Sequence, residues 1–232
     1  MQNGAAYVPA GSDRRGRIRK VAKRLKTQTP PSRQPIYDAF APHYERALRP
    51  LERLILARLR ADALCALDVR GAGGLRLLEI GAGTGLNFPH YPPGACGAAT
   101  EPSREMLRIA QTKPRPEGVC LVQATAEALP FADNIFDAAF ATLVFCSVAS
   151  PPRAFAELRR VVRAGGRIVL LEHVRPSGLL GPVFDAVSRL TVRLCEDHFN
   201  RRTAREAERA GLRVVGVEPH ALGIIQLIVC EV

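Results

Sequence analysis

Several things are missing from this chain, and each absence excludes something. None of the six cysteines (Cys65, Cys96, Cys120, Cys146, Cys195, Cys230) forms a Cys-x-x-Cys pair. Neither a zinc site nor a disulfide frame is encoded, and reduced thiols in a reducing compartment are expected. No apolar run approaches the roughly eighteen residues of a membrane span, there is no apolar core of a secretory signal, and no internal repeat appears. Acid is nearly absent from residues 1–35, which hold nine Lys or Arg against Asp13 alone; the rest of the chain carries 24 basic and 21 acidic side chains. The net charge of +11 therefore belongs to a tail. The nearly balanced remainder lacks the field of a nucleic-acid binder, and no specific nucleic-acid partner is expected.

With 232 residues, 47% hydrophobic and 24% charged, the chain suits one domain and an extension. Residues 1–35 read as a basic, disordered tail and linker, and residues 36–232 as the folded domain. Within the tail, Ile18, Val21, Ala22 and Leu25 fall at i, i+3, i+4 and i+7 of a strongly basic segment, 14–26. Such a segment reads as a peripheral contact with an anionic membrane or another polyanion; a solvated tail is the alternative. The expected location is cytoplasmic, with peripheral membrane contact. The Arg-rich, acid-poor start equally suits a mitochondrial transit peptide if the source is eukaryotic.

The informative stretch is Leu77-Leu-Glu-Ile-Gly-Ala-Gly-Thr-Gly-Leu86. Its apolar start predicts a strand covered on both faces of a parallel sheet. The three alternating glycines let the backbone turn sharply and approach a ligand. A dinucleotide fingerprint requires a small residue where Leu86 stands and an open loop over pyrophosphate, whereas Glu79 ends the strand. A carboxylate there suits a cation. A second acid, Glu101, ends the next strand and can accept both hydroxyls of a ribose. Further strands are expected at 119–123, 136–144 and 167–171, and a closing hairpin at 212–217 and 224–229. Helices are expected from Pro50 (Leu51, Leu54, Ile55 and Leu59 inward), from Ser103, over 153–163 up to Gly165-Gly166, over 179–194, and over 203–210 with Thr203 as cap. The fold class is α/β: a doubly wound, seven-stranded Rossmann-like sandwich with a final antiparallel hairpin.

The glycine stretch, Thr100–Leu107, Ala126–Phe131 with Phe136-Asp137, and Glu157–Arg167 together resemble the class I S-adenosylmethionine-dependent methyltransferases over about residues 36–232. Asn87–Pro93, Thr142–Val148 and Leu171–Val174 look most like the small group that includes animal thiol S-methyltransferases; quinone C-methyltransferases and bacterial phospholipid N-methyltransferases are more distantly similar. The resemblance implies S-adenosyl-L-methionine as cofactor, held by Glu79, Gly81, Ala82, Gly83, Gly85, Glu101, Pro102, Met106, Thr125, Ala126, Glu127 and Thr142. Thr125 stands where the quinone-methylating relatives carry an Asp for the adenine amine. The aromatic segment with Tyr37, Phe40 and Tyr44 is, by resemblance, a lid over the cofactor; ordinary helix packing is the alternative.

Methyl transfer from a sulfonium is an in-line displacement that needs alignment and a dry cleft more than covalent catalysis. Candidates at the ends of the fourth and fifth strands are Cys146, Ser147, Glu172 and His173. His173 is the base by type and place, or else a structural histidine. The tract Cys195–Asn200 contains acids and His198, but adjacent residues rarely converge on one ion, so no metal is expected. The Asn/Asp-Pro-Pro-aromatic motif that holds a flat amine in base-methylating relatives is absent. The expected acceptor is a small or lipid-like, fairly apolar molecule, with sulfur favoured over a quinone carbon or an ethanolamine-type nitrogen. A catalytically silent binding protein and a nicotinamide oxidoreductase are the competing classes, the latter disfavoured by Glu79 and Leu86.

Overall fold

The computed structural model describes residues 35–68, 74–175 and 201–232, together with Gly16, Ile18, Ser188 and His198. Helix α1 (Pro35–Leu51) runs through a π turn (Glu52–Leu56) into α2 (Ala57–Cys65). Then come β1 (Arg76–Ile80), β2 (Cys96–Glu101), α3 (Arg104–Gln111), β3 (Gly118–Gln123), β4 (Phe136–Thr142), α4 (Pro151–Val161) and β5 (Val162–His173). Helix α5 (Thr203–Arg209), β6 (Arg213–His220) and β7 (Ile225–Glu231) complete the order.

Among the described residues the strands form one seven-stranded sheet in the order β3-β2-β1-β4-β5-β7-β6. Strands β1 to β5 pair in parallel, and β7 runs antiparallel to both β5 and β6. This is the expected doubly wound sheet with its closing hairpin. The strand order reverses between β1 and β4, which opens a crevice at their carboxyl ends.

The pleat divides the core. Successive side chains point to opposite faces, so Leu78 and Ile80 join Phe136, Ile168 and Leu170 under Phe155 and Leu158 of α4. Leu77 joins Phe140, Val169 and Leu171 under Leu56 and Leu59. Phe136, Phe140, Phe145 and Phe155 are fully buried, and Phe145 stacks on Phe155 with centroids 4.5 Å apart. Arg76 clamps the Asp137 carboxylate with its backbone N–H at 3.0 Å and its guanidinium Nε at 2.8 Å, tying β1 to β4.

Several boundaries differ from expectation for identifiable reasons. Pro50 does not begin a helix; it lies inside α1, and because it has no N–H the ladder reforms as a π turn. The wider turn rotates the rest of the helix. Leu54, expected inward, is 81% exposed, and the buried face passes to Leu56, Leu59, Arg60, Ala63 and Leu64. Helix α4 stops at Val161 rather than at Gly165-Gly166, because Val162 is already extended and pairs with Phe136. Strand β4 ends at Thr142, since Leu143 takes a left-handed backbone with φ of 59°. Thr203 does not cap α5: Arg202 stands at that position, without a side-chain bond, and Thr203 is buried. Gly211, with φ of 82°, ends the helix as expected.

Of segment 14–26, Gly16 and Ile18 are described. Both are helical, and Ile18 is buried against the α4 side of the core. That side chain is a core residue and not a membrane contact. The expected helix 179–194 lies outside the described residues apart from Ser188, which is helical and buried.

Candidate active site

A cavity of about 720 Å³ opens at the carboxyl ends of β1, β2, β4 and β5. Its floor is the glycine loop. Each glycine serves a different purpose. A Cβ on Gly81 would come within 2.5 Å of Val144, and one on Gly85 within 2.4 Å of Phe88, so those two let the loop pack closely. At Gly83 an added Cβ would meet nothing within 4 Å, and φ is 53°. Gly83 is thus a left-handed residue whose bare backbone faces open cavity. Gly81 and Gly83 line the cavity; Ala82 and Gly85 do not. Ala82 is buried, with its N–H on Thr100 O at 2.9 Å, and both act on the loop's shape.

Glu101 ends β2 and faces the cavity. Its Oε2 accepts the Gly83 N–H at 2.9 Å and its Oε1 the Ser103 N–H at 2.8 Å. The carboxylate is held at both oxygens, leaving further lone pairs for a diol. Burial pushes its pKa up to about 7 despite those two donors, with the nearby Glu79 and Asp38 adding to the rise. Pro102 and Met106 line the same wall. Met106 is placed by Ser103, which caps α3 by accepting the Met106 N–H at 3.2 Å. Thr125, Ala126 and Glu127 lie beyond β3 along the cavity. Glu127 Oε1 accepts the N–H groups of Ala149 at 2.9 Å and Ser150 at 3.2 Å, bracing the loop before α4.

The structure corrects the expectation for Glu79. It was expected to face the ligand, but it is fully buried and absent from the cavity lining. The pleat that sends Leu77 to the α2 side sends Glu79 there too. Its Oε1 accepts from Asn87 Nδ2 at 2.6 Å and its Oε2 from the Tyr91 hydroxyl. Burial raises the pKa of both Glu79 and Tyr91. The residues that complete this network were not found from the sequence. Arg60 Nη1 donates to Asn87 Oδ1 at 3.0 Å and to Thr142 Oγ1 at 2.6 Å, while its Nε pairs with Glu52 at 3.0 Å. Thr142, which does line the cavity, is thereby fixed from behind. A signal existed for Arg60 only in the phase of the helix after the π turn.

The wall after β4 is held by the next carboxylate. Glu172 is fully buried and accepts the N–H groups of Val144 and Phe145, each at 3.1 Å. Burial lifts its pKa to about 8. It supports the wall but does not line it. His173, the last residue of β5, does line the cavity, and burial lowers its pKa, so the ring is neutral near pH 7. Cys146 and Ser147 also face the cavity; the Cys146 thiol lies 3.7 Å from Leu143 O and the Ser147 hydroxyl donates to Val144 O at 3.0 Å. His198 donates its backbone N–H to Cys146 O at 2.9 Å, while 195–197 and 199–200 lie outside the described residues.

Over the cavity lies α1. Tyr37, Phe40 and Tyr44 line it, so the lid reading is the one the geometry fits. Asp38 accepts from the Ser103 hydroxyl at 2.6 Å and from the Glu105 N–H at 3.2 Å. Glu45 pairs with Lys113 at 2.5 Å. The lid is thus pinned to both ends of α3. Burial pushes the Tyr44 phenol up to about 12, keeping it protonated.

A parallel sheet with a glycine loop after β1 and an acid ending β2, opening at the strand reversal, defines an α/β enzyme that binds a nucleoside cofactor. Residues 78–170 match the family described as "Methyltransferase domain". The chain is 31% identical over 196 residues to thiol S-methyltransferase TMT1B of Mus musculus, covering 80% of each. It is 35% identical over 162 residues to the ubiquinone/menaquinone biosynthesis C-methyltransferase UbiE of Syntrophotalea carbinolica, covering 67% of this chain and 68% of that one. A solved structure from Thermotoga maritima, an S-adenosylmethionine-dependent methyltransferase described as a possible histamine N-methyltransferase, superposes with a TM-score of 0.65 at 25% identity, over 84% of this chain and 98% of that one. The chain belongs to the class I S-adenosylmethionine-dependent methyltransferases. It is an enzyme, and its methyl donor is S-adenosylmethionine. The site fits that donor: Gly83 opens to the cavity, and the fixed Glu101 carboxylate offers acceptors to a diol.

Proposed function

We propose that this enzyme methylates a small, apolar acceptor, with a thiol sulfur as the receiving atom. The observation that carries the reading is the character of the wall facing the glycine loop. Ile36, Tyr37, Phe40, Tyr44 and Leu48 of the lid meet Leu143, Val144 and Val148 across the cavity. Of the carboxylates lining it, Glu101 accepts a backbone N–H at each oxygen and Glu127 accepts two at Oε1. Such a wall favours an uncharged acceptor over an ammonium, because a buried cation needs a dedicated partner.

S-adenosylmethionine supplies a methyl group made electrophilic by its sulfonium. In this reading Glu101 holds the ribose hydroxyls, Gly83 gives the backbone approach, and Met106 with Thr125 flanks the adenine. Thr142, fixed by Arg60 and Asn87, keeps the β4 side of the cleft rigid. Tyr44 and Phe40 exclude water. His173, neutral because it is buried, takes the acceptor's proton as the bond to carbon forms. A thiol asks little of such a base, since it ionises near pH 8.5 unaided.

The test is a radiolabelled methyl-transfer assay offering short alkyl and aryl thiols, a demethylated quinone analogue and phosphatidylethanolamine. The thiols should be methylated fastest. Background turnover on thiols with rapid methylation of the quinone carbon or of the lipid nitrogen overturns the assignment of the acceptor atom.

A further inference from the structure

The outward face of α1 is unlike an ordinary solvated helix. Ile36, Phe40, Ala47, Pro50 and Leu54 recur along one stripe and are all exposed, with Ile36 at 37%, Phe40 at 42% and Leu54 at 81%. Beside that stripe Arg46, Arg49 and Arg53 are exposed as well. The carboxylates of α1 and the π turn face elsewhere. Asp38 is engaged by Ser103 and Glu105, Glu45 by Lys113, and Glu52 by the buried Arg60. Glu45 lies near enough to Arg49 to feel its charge, but it is committed at 2.5 Å to Lys113. What remains outward is an apolar stripe edged by arginines.

We infer that this face docks the enzyme on an anionic lipid bilayer, with the rim of the active-site cavity turned toward the lipid. An apolar stripe beside cationic side chains is the composition of a helix that lies in the membrane interface. Charge complementarity selects an anionic surface, and the exposed Leu54 and Phe40 select a bilayer over a nucleic acid, which offers no apolar phase to bury them. Ile36, Phe40 and Ala47 belong both to this face and to the cavity lining. An acceptor dissolved in the bilayer therefore reaches the methyl donor without crossing water. This deepens the reading of an apolar acceptor and rests on it. The docking face is distinct from segment 14–26, whose Ile18 is taken up by the core.

The experiment uses the full chain and vesicles of phosphatidylcholine with or without about 30% phosphatidylglycerol, sedimented at about 0.1 M salt. Wild type should sediment with the anionic vesicles and not with the neutral ones. Each arginine near such a surface is worth about fivefold in affinity, so R46Q/R49Q/R53Q should bind about a hundredfold more weakly, and Leu54→Glu at least tenfold more weakly. Neutralising the basic residues of 14–26 should leave most of the binding. Both helix variants should methylate a water-soluble thiol at the wild-type rate while losing rate on the same thiol carried on a long alkyl chain in anionic vesicles. Unchanged vesicle binding by the two helix variants overturns the docking face. So does loss of binding on neutralising 14–26 alone, or tighter binding of the face to duplex DNA than to vesicles. If the soluble thiol is not methylated while docking keeps the pattern above, the acceptor reading fails and the docking face stands.

Discussion

Affinity for the methyl donor should depend on pH through Glu101. The carboxyl is buried, its pKa lies at about 7 in the free enzyme, and both oxygens already accept backbone N–H groups. A ribose diol brings two donors. The ionised carboxylate accepts both, whereas the protonated acid presents a donor of its own and clashes with one of them. Binding therefore requires the ionised form, and below the free-enzyme pKa a proton must leave first. With that pKa the ionised fraction is about 90% at pH 8, 10% at pH 6 and 1% at pH 5, so Kd should rise about tenfold per pH unit below 7 and level off above 8. Each tenfold step is about 1.4 kcal/mol. Titration calorimetry at pH 6 in two buffers of different ionisation enthalpy should show close to one proton released per cofactor bound. Glu101→Gln should bind at least tenfold more weakly at pH 8, because each charged hydrogen bond is worth about 1.5–3 kcal/mol, and should lack the acid limb. A wild-type Kd that is flat from pH 8 to 5.5, or an equal acid limb in the glutamine variant, would refute the reasoning.

The other expectations concern the frame around that carboxylate. Gly83→Val should abolish cofactor binding by calorimetry while the protein stays folded by circular dichroism, since the new side chain enters open cavity and costs only about 2 kcal/mol in backbone strain. Arg60→Met should lower unfolding free energy in urea by about 3 kcal/mol, because Glu52 and Thr142 lose their buried partner. Ile18→Ala should cost about 2 kcal/mol by the same measurement, placing this side chain in the core and not on a membrane. Glu172→Gln tests the sign of a second linkage. Burial raises the Glu172 pKa from 4.5 to about 8, so wild-type stability is fullest below the unfolded value and declines as pH rises toward 8. The variant should gain on wild type by about 1.4 kcal/mol per pH unit across that window, and a constant difference in urea midpoint from pH 5 to 8 would sink the assignment.

The features legible in the sequence were the local ones. The loop Gly81–Gly85 and Glu101 carry their meaning within a few residues: a buried strand, an obligatory turn and an acid at the next strand end. The five parallel strands were legible for the same reason, because strands covered on both faces appear as apolar runs. Apart from element boundaries and the Thr203 cap, the failures are matters of direction. Glu79 sits at the right place along the chain, yet the pleat aims it at Asn87 and Tyr91 instead of the cavity. Leu54 satisfies the helical period, yet the π turn after Pro50 shifts that period and turns it outward. Arg60, a charged residue with no sequence signal of burial, is buried by the same shift and bonds to Thr142. Neither a pleat's parity at its end nor a one-residue insertion in a helix is visible from hydrophobic pattern alone.

The carboxylates at and just beyond the strand ends share one logic. Glu101, Glu172 and Glu127 each accept backbone N–H groups of a loop that walls the cavity: 83 and 103, 144 and 145, 149 and 150. Glu79 does the same through the side chains of Asn87 and Tyr91. Burying Glu79, Glu101 and Glu172 is costly, as their raised pKa values record, and a core of leucines would be more stable. The cost secures position. In-line methyl transfer offers little for acid, base or nucleophile to do, and its rate depends on holding sulfur, carbon and acceptor in line. A misplacement of about 1 Å can cost a hundredfold. Leu143, held at φ of 59° by its N–H on Leu171 O at 2.7 Å, shows that the frame tolerates local strain to fix the wall of the cavity. In the proposed reaction Glu79, Glu127 and Glu172 would accordingly contribute geometry, through the loops they hold, and Glu101 would add its contact with the ribose.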